Sequence, residues 1–91
     1  MGEELSMAQK VEKLGFNIEE FKKDMFDIDD KMTNKCLITL NYSGENLEKN
    51  IYPELRKFKE KYGINLPIGL CGVDLPRLDN RLNNLMREKG L

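Results

Sequence analysis

The stretch NIEEFKKDMFDIDDKM, residues 17–32, carries the most regular apolar pattern in the chain. Its apolar residues recur at alternating intervals of three and four, the spacing of a narrow helix–helix seam. Asn17 stands where a side chain caps a first turn, with Glu20 three residues later as in a capping box. We therefore predict a helix over residues 18–32. Its stripe consists of Ile18, Phe21, Met25, Ile28 and Met32.

The same reasoning predicts three more helices. The first covers residues 4–14 and ends at Gly15. The third covers residues 45–62, with Ser43 as its cap and Gly63 after its last turn. Pro53 inside it removes one backbone hydrogen bond and should kink or split the helix. Because the apolar residues keep phase across Pro53, we favour a kink, with the proline towards solvent.

The last helix begins behind Asp74, a good cap, and has Pro76 in its first turn. Its apolar residues share one arc of the helical wheel, and this face is expected to pack on the core. They are Leu75, Leu78, Leu82, Leu85 and Met86.

Two segments have the period of a strand or no clear period. Residues 36–42 alternate: Cys36, Ile38, Leu40 and Tyr42 form one face, which predicts a half-buried strand. Residues 64–71, INLPIGLC, are apolar but contain a proline and a glycine. They fit an edge strand or an irregular buried loop.

The resulting order is α-α-β-α-(β)-α. It predicts a predominantly helical α+β fold with four helices and one or two short strands. At 91 residues the chain is the size of one domain, so residues 1–91 are expected to form a single unit. The apolar seam of residues 18–32 is expected to be buried within the chain, and a homodimer through it is the alternative.

Composition narrows the function classes. The net charge is −1, which creates no global attraction for nucleic acid or an anionic membrane. The chain has no His, which removes the commonest proton shuttle and zinc ligand. Its two cysteines, Cys36 and Cys71, match no metal spacing; we expect two buried free thiols, with a disulfide as the alternative.

No catalytic or ligand-binding motif emerges. The acidic run of residues 24–31 lacks the glycine and the terminal glutamate of an EF-hand loop. Ser43-Gly44 precedes a helix but has none of the glycine-rich signatures of nucleotide-binding loops. The sequence thus predicts no catalytic residues, no metal site and no cofactor.

Two aromatic side chains lie off the predicted core stripes of their helices. Phe26 and Tyr52 are therefore candidate anchors for a protein partner, with a wider core contact as the alternative. Asp27, Asp29 and Asp30 stand beside Phe26 and would steer a basic partner.

The C-terminal segment, CGVDLPRLDNRLNNLMREKGL (residues 71–91), has a polar face of Arg and Asn. These side chains pair bidentately with guanine and adenine edges. With Gly72-Val73 at a turn, the Asp74 cap and the leucine stripe, the segment resembles the recognition helix of winged helix-turn-helix regulators. The resemblance implies that Arg77, Asn80, Arg81 and Asn84 would face DNA.

These observations favour a small, non-catalytic regulatory or accessory protein that binds another protein, as an adaptor or inhibitor does. The alternative is a small winged-helix-like DNA-binding regulator that uses its last helix. The opening residues lack the apolar core of a secretory signal, and no apolar run is long enough to span a bilayer. We therefore expect a cytoplasmic protein without membrane contact.

Overall fold

In the computed structural model, which describes residues 5–91, the chain is predominantly helical and carries a short antiparallel two-stranded sheet. Five α-helices are present in this part, one more than the sequence predicts. The helices are α1 (Met7–Lys13), α2 (Ile18–Met32), α3 (Gly44–Asn50), α4 (Tyr52–Tyr62) and α5 (Leu75–Glu88). The strands are β1 (Ile68–Gly69) and β2 (Gly72–Val73).

Side-chain caps set where four of these helices begin. Ser6, Asn17, Ser43 and Asp74 each accept a hydrogen bond from the backbone N–H three residues on, at 3.0–3.2 Å. Each bond satisfies one of the N–H groups that a first helical turn leaves free. The three caps predicted from sequence, at residues 17, 43 and 74, are confirmed. The helix expected from residue 4 begins at Met7; residue 4 itself lies outside the described residues.

The prediction of one kinked helix over residues 45–62 is wrong. The chain breaks between α3 and α4 at Ile51, whose φ of −109° departs from helical geometry and whose side chain is fully buried. Pro53 falls in the first turn of α4, where a missing N–H breaks no intrahelical bond. The proline is half-buried rather than turned to solvent.

The predicted strand over residues 36–42 is also wrong. α2 continues instead into a π-helical turn, Thr33–Leu37, followed by an irregular turn. The Asn46 side-chain amide donates to the carbonyl oxygens of Lys35 and Asn41 at 2.8 and 2.7 Å. The backbone N–H of Asn41 donates to the Cys36 carbonyl at 3.0 Å. These local bonds satisfy polar groups that a strand would have shared with a neighbour.

The buried side chains form two clusters. The larger one joins α1, α2, α4, α5 and the segment before β1, and three of its aromatic rings meet with centroids 4.6–5.3 Å apart. Its buried members are Val11, Phe21, Met25, Ile28, Phe58, Tyr62, Ile64, Leu66, Leu78 and Leu82. The smaller cluster consists of Met32, Cys36 and Ile51. Four residues of the α2 seam are thus buried within the chain.

Burial also corrects two expectations from sequence. Leu75, assigned to the packing face of the last helix, is half exposed. Both cysteines are free thiols, but only Cys36 is buried, whereas Cys71 is exposed at the tip of the β-hairpin. Ile38 and Leu40 are also exposed. The alternating residues of 36–42 therefore do not share one buried face.

A cluster of polar side chains joins α2 to α4. The hydroxyl of Tyr62 donates to Asp24 Oδ2 at 2.5 Å, and Lys61 pairs with Asp24 and with Glu20. Burial and the bond to Asp24 raise the pKa of Tyr62 to about 12. Burial alone would raise the pKa of Asp24, but the hydrogen bonds from Lys61 and Tyr62 outweigh it and hold that pKa below its usual 3.8.

Replacing Tyr62 with Phe keeps the ring packing and removes the hydroxyl. At pH 7 we expect the variant to be less stable by about 1–2 kcal/mol. Because the folded-state pKa is raised, the hydroxyl's contribution is complete below pH 10 and is lost as pH rises from 10 towards 12. Urea unfolding at several pH values should show the gap between wild type and variant closing in that window. A gap that stays constant up to pH 12 would contradict this assignment.

Candidate protein-binding surface

The β-hairpin is fixed to α2 through its second strand. The backbone N–H of Val73 donates to Asp29 Oδ1 at 2.9 Å. Gly72 lies so close to this carboxylate that a Cβ atom at residue 72 would overlap Asp29 Oδ1, and its φ of +134° disfavours any other residue. Glycine is therefore required for the hairpin to reach α2.

A second bond fixes the tip of the hairpin. Residues 70 and 71 form a two-residue loop between the paired residues Gly69 and Gly72. The hydroxyl of Tyr42 donates to the carbonyl oxygen of Leu70 at 2.6 Å. Desolvation of this hydroxyl raises the pKa of Tyr42 above its usual value. The hairpin is thus tethered at its tip and at its base.

Most of the exposed large hydrophobic side chains stand close in sequence to the tethering residues. In the part of the chain that the structure describes, six such residues are exposed, and five lie within four residues of a tethering group. We call these five the hairpin surface: Phe26, Ile38, Leu40, Leu70 and Leu75, with 54%, 69%, 80%, 69% and 49% of each residue exposed. The sixth, Leu91, closes the chain at 53% exposure.

Leu40 is the least expected member of this surface. It is the one non-glycine residue with positive φ (+53°) among residues 5–91. This left-handed conformation favours Gly or Asn after a helix and costs a leucine roughly 1 kcal/mol. The side chain also gains no burial. Neither packing nor local backbone preference therefore accounts for a leucine here, and such an outlier supports a functional hypothesis.

The residues predicted from the sequence to bind a protein partner differ in their exposure and in their contacts. Phe26, Asp27 and Asp30 are exposed on α2. Asp29 is half-buried and anchors Val73, so its main contact is structural. Tyr52 is half-buried against the smaller core cluster and does not offer a free ring.

Sequence reasoning missed four members of the hairpin surface, namely Ile38, Leu40, Leu70 and Leu75. Ile38 and Leu40 had been assigned to the predicted strand, and Leu75 to the packing face of the last helix. For Leu70 the sequence carries a signal, because glycines mark turns and Gly69 and Gly72 stand on either side of Leu70-Cys71. An apolar residue in such a loop is expected to be exposed.

The polar face of α5 keeps its predicted residues together. Arg77, Asn80, Arg81 and Asn84 are all exposed. The Arg77 Nε lies 3.5 Å from the capping carboxylate of Asp74. A shallow groove of about 150 Å³ runs beside this face, and its lining includes Arg81, Asn84 and the carboxylate-bearing Glu88. Residues 63–74, which precede α5, form a loop and the hairpin rather than a helix.

A second groove, of about 240 Å³, lies between α2 and α4. Its floor contains Ile28 and Phe58, and charged side chains line its rim. Those charges are paired: Lys61 with Asp24, Lys57 with Glu54, and Asp27 with Lys23. The rim therefore has little free charge for a ligand.

Residues 5–91 contain neither a cluster of metal ligands nor a helix suited to a membrane. No three or more His, Cys, Asp or Glu side chains come together as a metal site would need. No helix there has the length and apolar character to cross a membrane. In comparisons with protein-family models, curated proteins and solved structures, nothing matches this chain.

The Gly72 contact gives a paired test of how the hairpin is held. Gly72→Ala should destabilise the fold by roughly 2–3 kcal/mol, because it displaces the Asp29 carboxylate and strains the backbone. Gly69→Ala is the matched control, because its Cβ would meet only the Gly72 carbonyl at 3.9 Å. It should cost less than about 1 kcal/mol. Urea unfolding and hydrogen exchange at the Val73 amide measure both effects; equal losses would show that the contact does not hold the hairpin.

Proposed function

We propose that this is a small, non-catalytic regulatory or accessory protein that binds another protein through the hairpin surface, as an adaptor or inhibitor does. The observation that supports it is that five exposed apolar side chains stand within four residues of the groups that tether one hairpin. Phe26 belongs to this surface, and Asp30 follows it by one turn of α2. Asp27, next to Phe26 in the sequence, lines the groove towards α4 and pairs with Lys23.

The exposure of these side chains fits a binding role. Each residue is between 49% and 80% exposed, and exposed apolar groups that cluster on a monomer often mark a protein interface. Large apolar side chains near the centre of such interfaces supply much of the binding energy.

The tethers support the same proposal. A free two-stranded hairpin is marginally stable and would have to become ordered on binding. Here the bonds from Val73 to Asp29 and from Tyr42 to Leu70 fix it beforehand. Less ordering entropy is then lost in the complex, which favours affinity.

The second candidate function is DNA binding through α5. It is favoured by the exposure of Arg77, Asn80, Arg81 and Asn84 on one helix. Arg and Asn make the bidentate contacts that read base edges. The net charge of −1 and the carboxylates of Asp74 and Glu88 beside this face weigh against it.

The protein-binding proposal is tested with the double variant Leu40→Ser/Leu70→Ser, used as bait in lysate of the native host with mass spectrometry. We expect a partner that co-purifies with wild type to fall at least tenfold with the variant, because two apolar anchors are lost. The thermal melt should stay within a few degrees, since exposed sites contribute little stability. Leu91→Ser, with similar exposure outside the surface, should keep the partner. Undiminished capture by the double variant would contradict the proposal.

The DNA-binding alternative predicts a mobility shift with duplex DNA at low salt. The shift should weaken steeply as salt rises, because phosphate contacts release counterions. Arg77→Ala/Arg81→Ala should weaken it further, whereas Lys13→Ala on α1 should not. Absence of a shift at 50 mM salt and micromolar protein would exclude this function.

A further inference from the structure

We infer that Cys36 and Cys71 form a thiol–disulfide switch, in which a low-molecular-weight disulfide oxidises both thiols and a new S–S bond joins the π-helical turn to the hairpin tip. The inference concerns a redox device and does not depend on the proposed protein partner. It is carried by the position of Tyr42, whose backbone lies beside one thiol and whose hydroxyl lies beside the other residue.

The backbone end of Tyr42 lies next to Cys36. The side-chain nitrogen of Asn46 donates to the carbonyl oxygen of Asn41 at 2.7 Å and to Cys36 Sγ at 3.5 Å. One nitrogen atom therefore bridges this thiol and the peptide group that leads into Tyr42. The backbone N–H of Asn41 also donates to the Cys36 carbonyl oxygen at 3.0 Å. The thiol is thus held against the turn from which the tyrosine side chain starts.

The hydroxyl end of Tyr42 lies next to Cys71. This hydroxyl donates to the Leu70 carbonyl oxygen at 2.6 Å, and that carbonyl belongs to the peptide group that leads into Cys71. Desolvation is the main cause that raises the pKa of Tyr42, and the charges of both thiols add to it. The two cysteines therefore lie at opposite ends of one tyrosine side chain.

The difference in access between the thiols sets the order of the reaction. Cys71 is exposed and Cys36 is fully buried, so the Cys71 thiolate attacks the oxidant first. The S–S bond of the oxidant breaks, and one small thiolate leaves. The Cys36 thiolate then attacks the Cys71 sulfur of this mixed disulfide, and the second small thiolate leaves as the new bond forms. The oxidant gains two electrons, and its two thiolates take the protons that the protein thiols lose.

The second step requires the hairpin tip to approach the π-helical turn, because a disulfide needs Cα atoms roughly 4.4–6.8 Å apart. Breaking the bond from Tyr42 to Leu70 releases the tip, while the bond from Val73 to Asp29 keeps the base on α2. Strands of two residues have few hydrogen bonds that oppose such a local opening. Oxidation would therefore also move Leu70, one member of the hairpin surface.

The test treats the native protein with dithiobis(nitrobenzoate), an aromatic disulfide whose leaving thiolate absorbs visible light. We expect two thiolates to leave per chain. The first should leave faster as the reagent concentration rises, whereas the second should not, because closure is intramolecular. The product should weigh about two mass units less than the reduced chain, since two hydrogen atoms are lost. Trypsin should then give peptides of Cys36 and Cys71 that separate only on reduction.

Variants assign each step to a residue. Tyr42→Phe should speed the second release about three- to tenfold, because one hydrogen bond that opposes opening is lost. Tyr52→Phe is the matched control, since its ring packs against the same small cluster outside the contact with Leu70, and its rate should stay within about twofold. Cys36→Ala should stop after one release. Cys71→Ser, at an exposed site that leaves the core intact, should lose the rapid first release.

Other products overturn the switch. A wild-type chain that stops after one release, with one reagent thiolate attached, shows that the tip does not reach Cys36. Two attached thiolates show that both thiols react independently. A disulfide-linked dimer on a non-reducing gel shows that Cys71 is oxidised between chains instead. Equal second rates in wild type and Tyr42→Phe show that this hydroxyl does not hold the tip, and they overturn the part assigned to Tyr42.

Discussion

The bond between the Val73 N–H and the Asp29 carboxylate is the contact on which the position of the β-hairpin depends. A sheet of two strands with two residues each has too few hydrogen bonds to persist alone. Asp29 supplies a charged acceptor from a rigid helix, and Gly72 allows the close approach. The position of the hairpin follows from this contact, and with it the placement of Leu70 and the start of α5.

Two polar contacts between helices stabilise the fold. Lys10 is buried and pairs with Asp79 at 2.6 Å, which joins α1 to α5. Asp24, Tyr62 and Lys61 join α2 to α4 in the same way. Because these charges already have partners, the grooves they border offer little to a ligand. Among the described residues, the large apolar side chains that remain exposed to water stand instead mostly near the hairpin residues in sequence.

Local signals in the sequence predicted the helices well, and tertiary signals were the ones that failed. The caps at Asn17, Ser43 and Asp74 depend on neighbours three residues away, so the sequence shows them directly. Residues 36–42 have the alternation of a strand, but the Asn46 side chain binds the carbonyl oxygens of Lys35 and Asn41, 11 and 5 residues before it, and periodicity does not reveal these bonds. Phe26 and its acidic neighbours were found as a candidate site because they share one helix. The bond from Tyr42 to the Leu70 carbonyl joins segments 28 residues apart, so no periodic pattern links Leu70 to residues 38–42.

The two thiols of the chain differ sharply in access, and this has a practical consequence. Cys36 has no exposed surface, whereas Cys71 stands at the tip of the hairpin beside Leu70. A maleimide dye should therefore attach to one position of the native protein without any engineered cysteine, because reaction requires an accessible thiolate. The wild-type chain thus carries a built-in attachment point for an optical reporter at the rim of the surface whose occupancy is in question.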